Sequence, residues 1–145
     1  MLDDPQLDPL GSLLVEIRDD VDVDGLVDGR VRGFEPAPGD AQPKGSYKAF
    51  VVLVALSAPP DPHLPVTFAT YGIRAYGATP QAAWAVWGAV VKAIHEVGPR
   101  LKANGLGIYK SIAVSGGEQG KDVDTQQPVV EGTIRLIATT QVVAA

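Results

Sequence analysis

Residues 47–56, YKAFVVLVAL, are a nearly continuous apolar run that decides the fold class. The run is rich in β-branched side chains and too short to favour a buried helix, so it predicts a central strand. Four prolines follow in residues 57–65, SAPPDPHLP, where they remove backbone donors and enforce a turn. Strand character resumes in residues 66–76, VTFATYGIRAY. We therefore expect the two runs to pair as an antiparallel hairpin.

One helix is predicted on each side of this hairpin. Before it, an N-cap aspartate and a proline at the first helical position precede apolar residues at helical spacing, which predicts a helix over residues 9–20. After it, Thr79 and Pro80 begin an alanine-rich segment that the pair Gly98 and Pro99 ends near residue 97. The second segment is the stronger helix prediction, since both of its ends are marked.

Two further strands are predicted after the second helix. They cover residues 106–114 and the mostly alternating residues 130–138. Residues 35–46 and 115–127 have no apolar period and are interpreted as loops, the second one mobile in the isolated subunit. We expect one domain over residues 1–145, of the α+β class, with an antiparallel or mixed sheet of about four main strands flanked by two α-helices in the order α-β-β-α-β-β.

The composition excludes several classes of protein. At 145 residues with 46% hydrophobic residues, the chain can bury the core of one domain. It has no cysteine and two histidines, which excludes disulfides, thiol nucleophiles and cysteine-ligated zinc. No apolar run is long enough to span a bilayer, and residues 1–8 are acidic where a signal peptide would be basic. We expect a cytosolic, unprocessed product with no membrane partner.

The charge is distributed unevenly along the chain. Residues 1–28 hold nine acids and one base, a net charge of −8, whereas the whole chain carries −5. This segment is interpreted as a solvated acidic face or, alternatively, as an acidic end that meets the basic end of a neighbouring subunit. The basic residues are scattered singly, which disfavours sequence-specific DNA or RNA binding.

One motif resembles half of a calcium-binding loop. Asp20, Asp22 and Asp24 alternate and Gly25 follows, as in the first half of an EF-hand loop. The twelfth position, which should supply a bidentate Glu, is Val31. We therefore expect an acidic helix end and turn in place of a calcium site.

No catalytic residue, cofactor site or metal ligand is predicted. Residues 116–122, GGEQGKD, resemble a phosphate-binding loop, but the glycines are one residue too close and Asp follows the Lys. His95 and Glu96 lack the second His of a zinc protease, and His63 has no identifiable nucleophile. The chain is not expected to be an enzyme.

The second helix has a wider apolar arc than contact with one sheet requires. One stripe contains Ala83, Trp87, Val90, Ile94 and Val97, and a second stripe beside it contains Trp84, Gly88 and Val91. One of the two tryptophans is expected in the core, although the pair also suggests a ligand cage. The other is a candidate anchor for a subunit contact, since aromatic side chains carry much of the energy of interfaces and Gly lets a second backbone approach. The candidate interface is Trp84, Gly88 and Val91.

The polar loop is a second candidate contact. Its central residues are Gly116, Gly117, Glu118, Gln119, Gly120, Lys121 and Asp122. Without large apolar side chains the loop buries too little surface to offset the backbone entropy lost on ordering. We expect it to be disordered in the free subunit and to become ordered against a neighbouring subunit or another protein.

One group of proteins has the same order of elements and a similar junction between strand and helix. The junction in this chain is residues 71–94, YGIRAYGATPQAAWAVWGAVVKAI. The chain resembles the tail terminator proteins of long-tailed bacteriophages, especially those of phages that infect actinobacteria. The resemblance covers roughly residues 8–140. It implies an α+β subunit that caps the head-proximal end of the tail tube as a ring, six copies in number, and stops tube polymerisation. The family has no catalytic residues to transfer.

The resemblance also implies partners and a location. The partners are other copies of the chain, the tail tube protein and a head-side connector or stopper protein, in the virion tail or neck after assembly in the host cytoplasm. DNA would only pass through the ring, and an acidic lumen would repel its phosphates. The alternatives are another neck or head-closure protein and, from a different class, a small calcium-binding or ligand-binding module.

Overall fold

A computed structural model describes residues 9–57, 66–97, 107–113 and 117–139. Along the chain the elements are α1 (Pro9–Asp19), α2 (Val21–Val27), β1 (Val31–Gly33), β2 (Phe50–Ser57), β3 (Val66–Tyr76), α3 (Pro80–Val97), β4 (Gly107–Ala113), β5 (Glu118–Lys121) and β6 (Pro128–Thr139). The α+β class is confirmed. The described residues contain three helices and six strands, one helix and two short strands more than the sequence predicts.

The strands form one mixed sheet with the order β1-β2-β3-β6-β4. The predicted hairpin of β2 and β3 is confirmed, with Phe50 opposite Tyr76 at one end of the regular pairing and Ala55 opposite Tyr71 at the other. β6 pairs with β3 along one side, and on its other side it pairs first with β5 and then with β4, all antiparallel. β6 therefore lies inside the sheet although it comes last among the described elements.

All three helices pack on one face of the sheet. Their buried side chains share one core with alternate residues of the strands, which point to that face because side chains alternate along a strand. The strand residues of this core are Val31, Val51, Leu53, Tyr71, Ile73, Ala75, Val130 and Ile134. We call this the inner face and the opposite one the outer face.

The outer face has a smaller core at one end. Phe50, Val52, Tyr76 and Val129 are buried there, and the rings of Phe50 and Tyr76 stack with centroids 4.1 Å apart. The Tyr47 hydroxyl donates to the Thr125 carbonyl oxygen at 2.6 Å, which ties the segment before β2 to the connection between β5 and β6. The remaining part of the outer face has no helix on it among the described residues.

The predicted first helix is correct for residues 9–19 and wrong at its end. Asp20 leaves the helical conformation and caps a second helix, α2, because its carboxylate accepts the N–H groups of Asp22 and Val23 at 3.0 and 3.1 Å. Asp28 ends α2 in the left-handed conformation with φ of 51°. The acidic motif is thus the beginning of a helix, with Asp22 and Asp24 exposed on its first turn.

The predicted loop at residues 115–127 is wrong in its central part. Glu118–Lys121 form strand β5 and pair with Pro128–Glu131 of β6. The sequence gives no sign of this strand because it is held by backbone pairing and its four side chains are exposed. Residues 114–116 lie outside the described residues.

The predicted proline loop at residues 35–46 is confirmed, and the structure explains its length. β1 pairs with β2 in parallel, so the chain must cross back to the start of β2, and a hairpin turn cannot make that connection. Asp40 holds the loop in place. It is 3% exposed and accepts the Arg32 guanidinium at 3.0 and 3.3 Å and the Ala37 N–H at 2.8 Å.

Asp40 is charged in spite of its burial. Burial raises the pKa of its carboxyl, but the hydrogen bonds from Arg32 and Ala37 lower it further than burial raises it. The pKa therefore lies below its ordinary value, and the folded state prefers the carboxylate.

The junction between β3 and α3 depends on a glycine. The Gly77 N–H donates to the Pro128 carbonyl oxygen at 3.1 Å, and Thr79 caps α3 through its hydroxyl, which accepts the Ala82 N–H at 3.1 Å. A Cβ atom at Gly77 would lie 2.3 Å from the backbone nitrogen of Ala83. The predicted cap at Thr79 is confirmed, and the close approach of helix and strand explains the glycine before it.

We predict that Asp40→Asn lowers the free energy of unfolding by about 1–3 kcal/mol at pH 7, since Arg32 loses its charged acceptor. Because the pKa of Asp40 is lowered in the folded state, its contribution is present above the unfolded pKa of about 4 and is lost as the pH falls through the folded pKa. The difference from the wild type should be constant between about pH 7 and 5 and should shrink below about pH 4. Urea titrations at each pH measure it.

The control is Asp28→Asn, whose ion pair with Arg30 is 3.7 Å long and whose side chain is 91% exposed. This substitution should change stability little at any pH. A difference for Asp40→Asn that is as large at pH 3 as at pH 7 would contradict the charge argument.

We predict that Gly77→Ala destabilises the fold by about 3 kcal/mol or more, because its Cβ would overlap backbone atoms that cannot move aside. The matched substitution is Gly88→Ala in α3, where a Cβ has no other atom within 4 Å. It should raise the free energy of unfolding by about 0.5–1 kcal/mol through helix propensity. Thermal and urea unfolding of both variants test the pair, and a neutral Gly77→Ala would contradict the assigned role.

Candidate assembly surface

The two tryptophans of α3 have different environments. Trp87 is 8% exposed and belongs to the inner core, whereas Trp84 is 39% exposed. The expectation that one tryptophan lies in the core is confirmed. Of the remaining predicted interface residues, Gly88 is exposed and Val91 is half-buried against the core. The exposed stripe of α3 is therefore Trp84 and Gly88, continued by Lys92 one turn further.

The hairpin of β5 and β6 is shaped by an aspartate turn. Asp122 accepts the N–H groups of Asp124 and Thr125 at 2.9 and 3.0 Å through one carboxylate oxygen. Gln126 follows with φ of 63°, and Gln127 is fully buried and donates through its amide to the Lys48 carbonyl oxygen at 2.7 Å. The hairpin is thus joined to the start of β2.

The structure brings the helix stripe and the polar loop together. The Trp84 indole N–H donates to the Gln119 side-chain oxygen at 3.0 Å. Gly117 has φ of +89°, and a Cβ there would lie 3.0 Å from the Trp87 ring. The two candidate contact regions, predicted separately, therefore form one continuous surface, which we call the helix–hairpin surface. Gly116, the first residue of the predicted contact loop, lies outside the described residues.

A polar chain supports the hairpin from the outer face. Arg74 donates to the Tyr76 hydroxyl, which donates in turn to the Asp122 carboxylate, both at 3.4 Å. Burial raises the pKa of Tyr76, although Arg74 acts in the opposite direction. Burial also raises the pKa of Asp122, but the hydrogen bonds from Thr125, Asp124 and Tyr76 lower it below its ordinary value. These groups therefore fix the turn in place with a charged Asp122 and a protonated Tyr76.

The outer face carries a shallow depression that the sequence analysis missed. It has a volume of about 370 Å³ and is lined on one side by Val54, Leu56 and Gly72 and on the other by Arg74, Glu118 and Glu131. Leu56 is 56% exposed. The outward residues of β2, which are Phe50, Val52, Val54 and Leu56, are all apolar. A solvated sheet face would carry polar residues at these positions, so the apolar run of β2 already indicated a surface that needs a cover.

Other predicted positions give less information. His63 lies outside the described residues, as does the side chain of His95 on α3. Among the described residues, no three His, Cys, Asp or Glu side chains are grouped so that they could hold a metal ion. None of the described helices is both long and apolar enough to cross a membrane.

Comparison with known proteins finds solved structures with a similar fold. No protein-family model matches the sequence, and a search of curated proteins gives no match. The chain is similar in structure to a chain from the virion of a native gene transfer agent particle, with a TM-score of 0.56, 14% identity and coverage of 88% of this chain and 91% of that one. It is also similar to the gp17 protein of bacteriophage SPP1, with a TM-score of 0.52, 13% identity and coverage of 91% and 89%. The likeness is one of fold.

We predict that Gln119→Ala loosens the hairpin without unfolding the domain. The lost hydrogen bond to Trp84 is partly exposed and worth about 0.5–1.5 kcal/mol, which corresponds to a roughly 2- to 10-fold loss of protection of the β5 amides. Hydrogen exchange measures it. The control is Lys121→Ala, which shortens another exposed side chain of β5 and should leave protection unchanged. Equal exchange in the two variants would contradict a role for the Trp84 contact.

Proposed function

We propose that the chain is a structural protein of a phage or phage-like particle, located in the tail or neck. Its specific task in this proposal is to cap the head-proximal end of the tail tube as a ring of copies, most simply six, and to join the tail to the head-side connector. The observation that carries the proposal is the similarity of fold to a virion chain over about nine-tenths of both chains.

The surface of the subunit also supports a role in assembly. The helix–hairpin surface exposes an aromatic anchor, Trp84, beside Gly88, where a second backbone can approach closely. The indole N–H of Trp84 donates to the Gln119 side chain, which holds the helix and the hairpin together at this surface. Such a surface is suited to binding another protein.

Capping follows from geometry in such an assembly. A ring with one side complementary to the end of the tube, and a different opposite side, cannot serve as the template for another tube layer. In this proposal the helix–hairpin surface lies between neighbouring copies or against a tail protein. The acidic residues of α1 and α2 disfavour tight contact with DNA that passes through the ring.

The first test is electron microscopy of particles produced with and without the chain. A terminator should appear as a ring at the head-proximal tail end, and its absence should give tails of uncontrolled length. Tails of normal length that fail to join heads would instead support the alternative, a connector or head-closure protein. Particles in which the chain is absent, or bound as a single copy, would overturn the ring.

A second test uses two exposed glycines that lie in helices. We predict that Gly88→Arg blocks ring formation, because it places a long side chain on the helix–hairpin surface, whereas Gly25→Arg on α2 does not. A Cβ has no neighbour within 4 Å at either position, so both variants should fold at least as stably as the wild type. Thermal melts check the folding and micrographs check the rings. Rings formed normally by Gly88→Arg would remove this surface from the subunit contact.

A further inference from the structure

The depression on the outer face is an apolar surface that no helix covers within residues 9–57, 66–97, 107–113 and 117–139. The outward residues of β2 are apolar along the whole strand, but only Phe50 and Val52 are buried. Val54 is half-buried and Leu56 is 56% exposed at the other end of the row. Gly72 beside them has no side chain, which makes the surface concave. Exposed apolar surface of this kind is typical of a protein contact.

The rim of the depression favours a positively charged partner. Glu118 of β5 and Glu131 of β6 lie directly opposite each other on neighbouring strands, and both are exposed. Like charges in this position repel each other. Arg74 lies opposite Glu131 on its other side, so the rim carries two acids and one base. A second positive charge, supplied by a partner, would balance the two acids of the rim.

The exposed stripe of α3 has the matching chemistry. It carries the apolar anchor Trp84 at one end and Lys92 at the other, and Lys92 is the charged group among the described side chains of α3. Eight residues of helix span about 12 Å. The distance across the sheet from Val54 to Glu118 covers three strand spacings, about 15 Å with the offset along the strands. Lys92 pairs with Asp22 at 3.4 Å, but both side chains are about 60% exposed, and such a pair exchanges partners at little cost.

The two surfaces lie on opposite sides of the same sheet. α3 packs on the inner face and the depression is on the outer face, so one chain cannot fill its own depression with its own helix. Contact between such unlike surfaces is heterologous and repeats from copy to copy, and it gives a ring where the rotation closes.

We propose that the depression is the docking site for α3 of a second copy of this chain, with Trp84 over Val54 and Leu56 and with Lys92 at Glu118 and Glu131. This inference rests on the proposed ring and assigns its two contacting surfaces. A basic segment of another particle protein is the competing occupant.

The chain has no cysteine, which makes crosslinking a clean test. Gly88→Cys marks the middle of the α3 stripe and Gly72→Cys marks the floor of the depression, where a Cβ would meet Leu56 at 3.6 Å, an ordinary contact. A short bismaleimide is added to particles assembled with the double variant, with each single variant, or with an equal mixture of the two single variants.

The heterologous contact predicts a distinct pattern of products. The double variant should give a ladder of covalent multimers, the mixture should give dimers, and each single variant should give neither. Crosslinking of Gly88→Cys with itself would overturn the inference in favour of a two-fold helix contact. A visible ring that gives no ladder would also overturn it while leaving the proposed function intact, whereas particles without a ring would overturn the proposed function itself.

A charge exchange gives an independent measurement. Lys92→Glu should reduce incorporation of the chain into particles at least several-fold, and the added pair Glu118→Lys and Glu131→Lys should restore it. Lys44→Glu, in the loop before β2, is the control and should be incorporated normally. Incorporation of Lys92→Glu at the wild-type level, or no rescue by the added pair in a variant that melts like the wild type, would overturn the charge contact.

Discussion

Burial of β2 on both of its sides is the constraint on which the rest of the structure depends. Its inward residues Val51 and Leu53 join the core beneath the helices, and its outward residues Phe50 and Val52 join the smaller core on the outer face. A strand that is apolar on both faces must lie inside a sheet and needs a cover on each side. The helices provide one cover, and among the described residues the cluster around Phe50 and Tyr76 provides the other over only half of the strand. In the part of the chain that the structure describes, Leu56 at the other end of the strand stays exposed.

Long elements were predictable from the sequence because their own residues specify them. β3 was predicted with the bounds that it has, since the prolines of residues 57–65 precede it and its own residues have strand character. α3 was predicted from its cap at Thr79 and its apolar period. The elements that the sequence did not predict are α2, β1 and β5, which are all short. β5 forms by pairing with β6, and β1 forms by pairing in parallel with β2, and neither contact has a local sequence pattern.

The same physical difference separates the predictable and unpredictable parts of the candidate surface. Helical period divides Trp84 from Trp87, so the sequence could predict that only one of them is in the core. The acceptor of the Trp84 indole could not be predicted, because Gln119 is 35 residues away and reaches it only through the hairpin. The polar chain of Arg74, Tyr76 and Asp122 likewise joins two strands and a turn. Contacts between elements that are distant in sequence cannot be predicted from the spacing of residues within one element.

The position of β6 has a consequence for how the chain is made. β6 follows all the other described elements in sequence, yet it pairs with β3, β4 and β5 and supplies Val130 and Ile134 to the core. Until β6 has been made, β4 and β5 have no strand to pair with among the described elements, and the long edge of β3 stays open. The six strands can join into one sheet only when residues 128–139 emerge. Folding of the complete sheet therefore waits for β6, and premature association of incomplete chains along β3 is the hazard that this order creates.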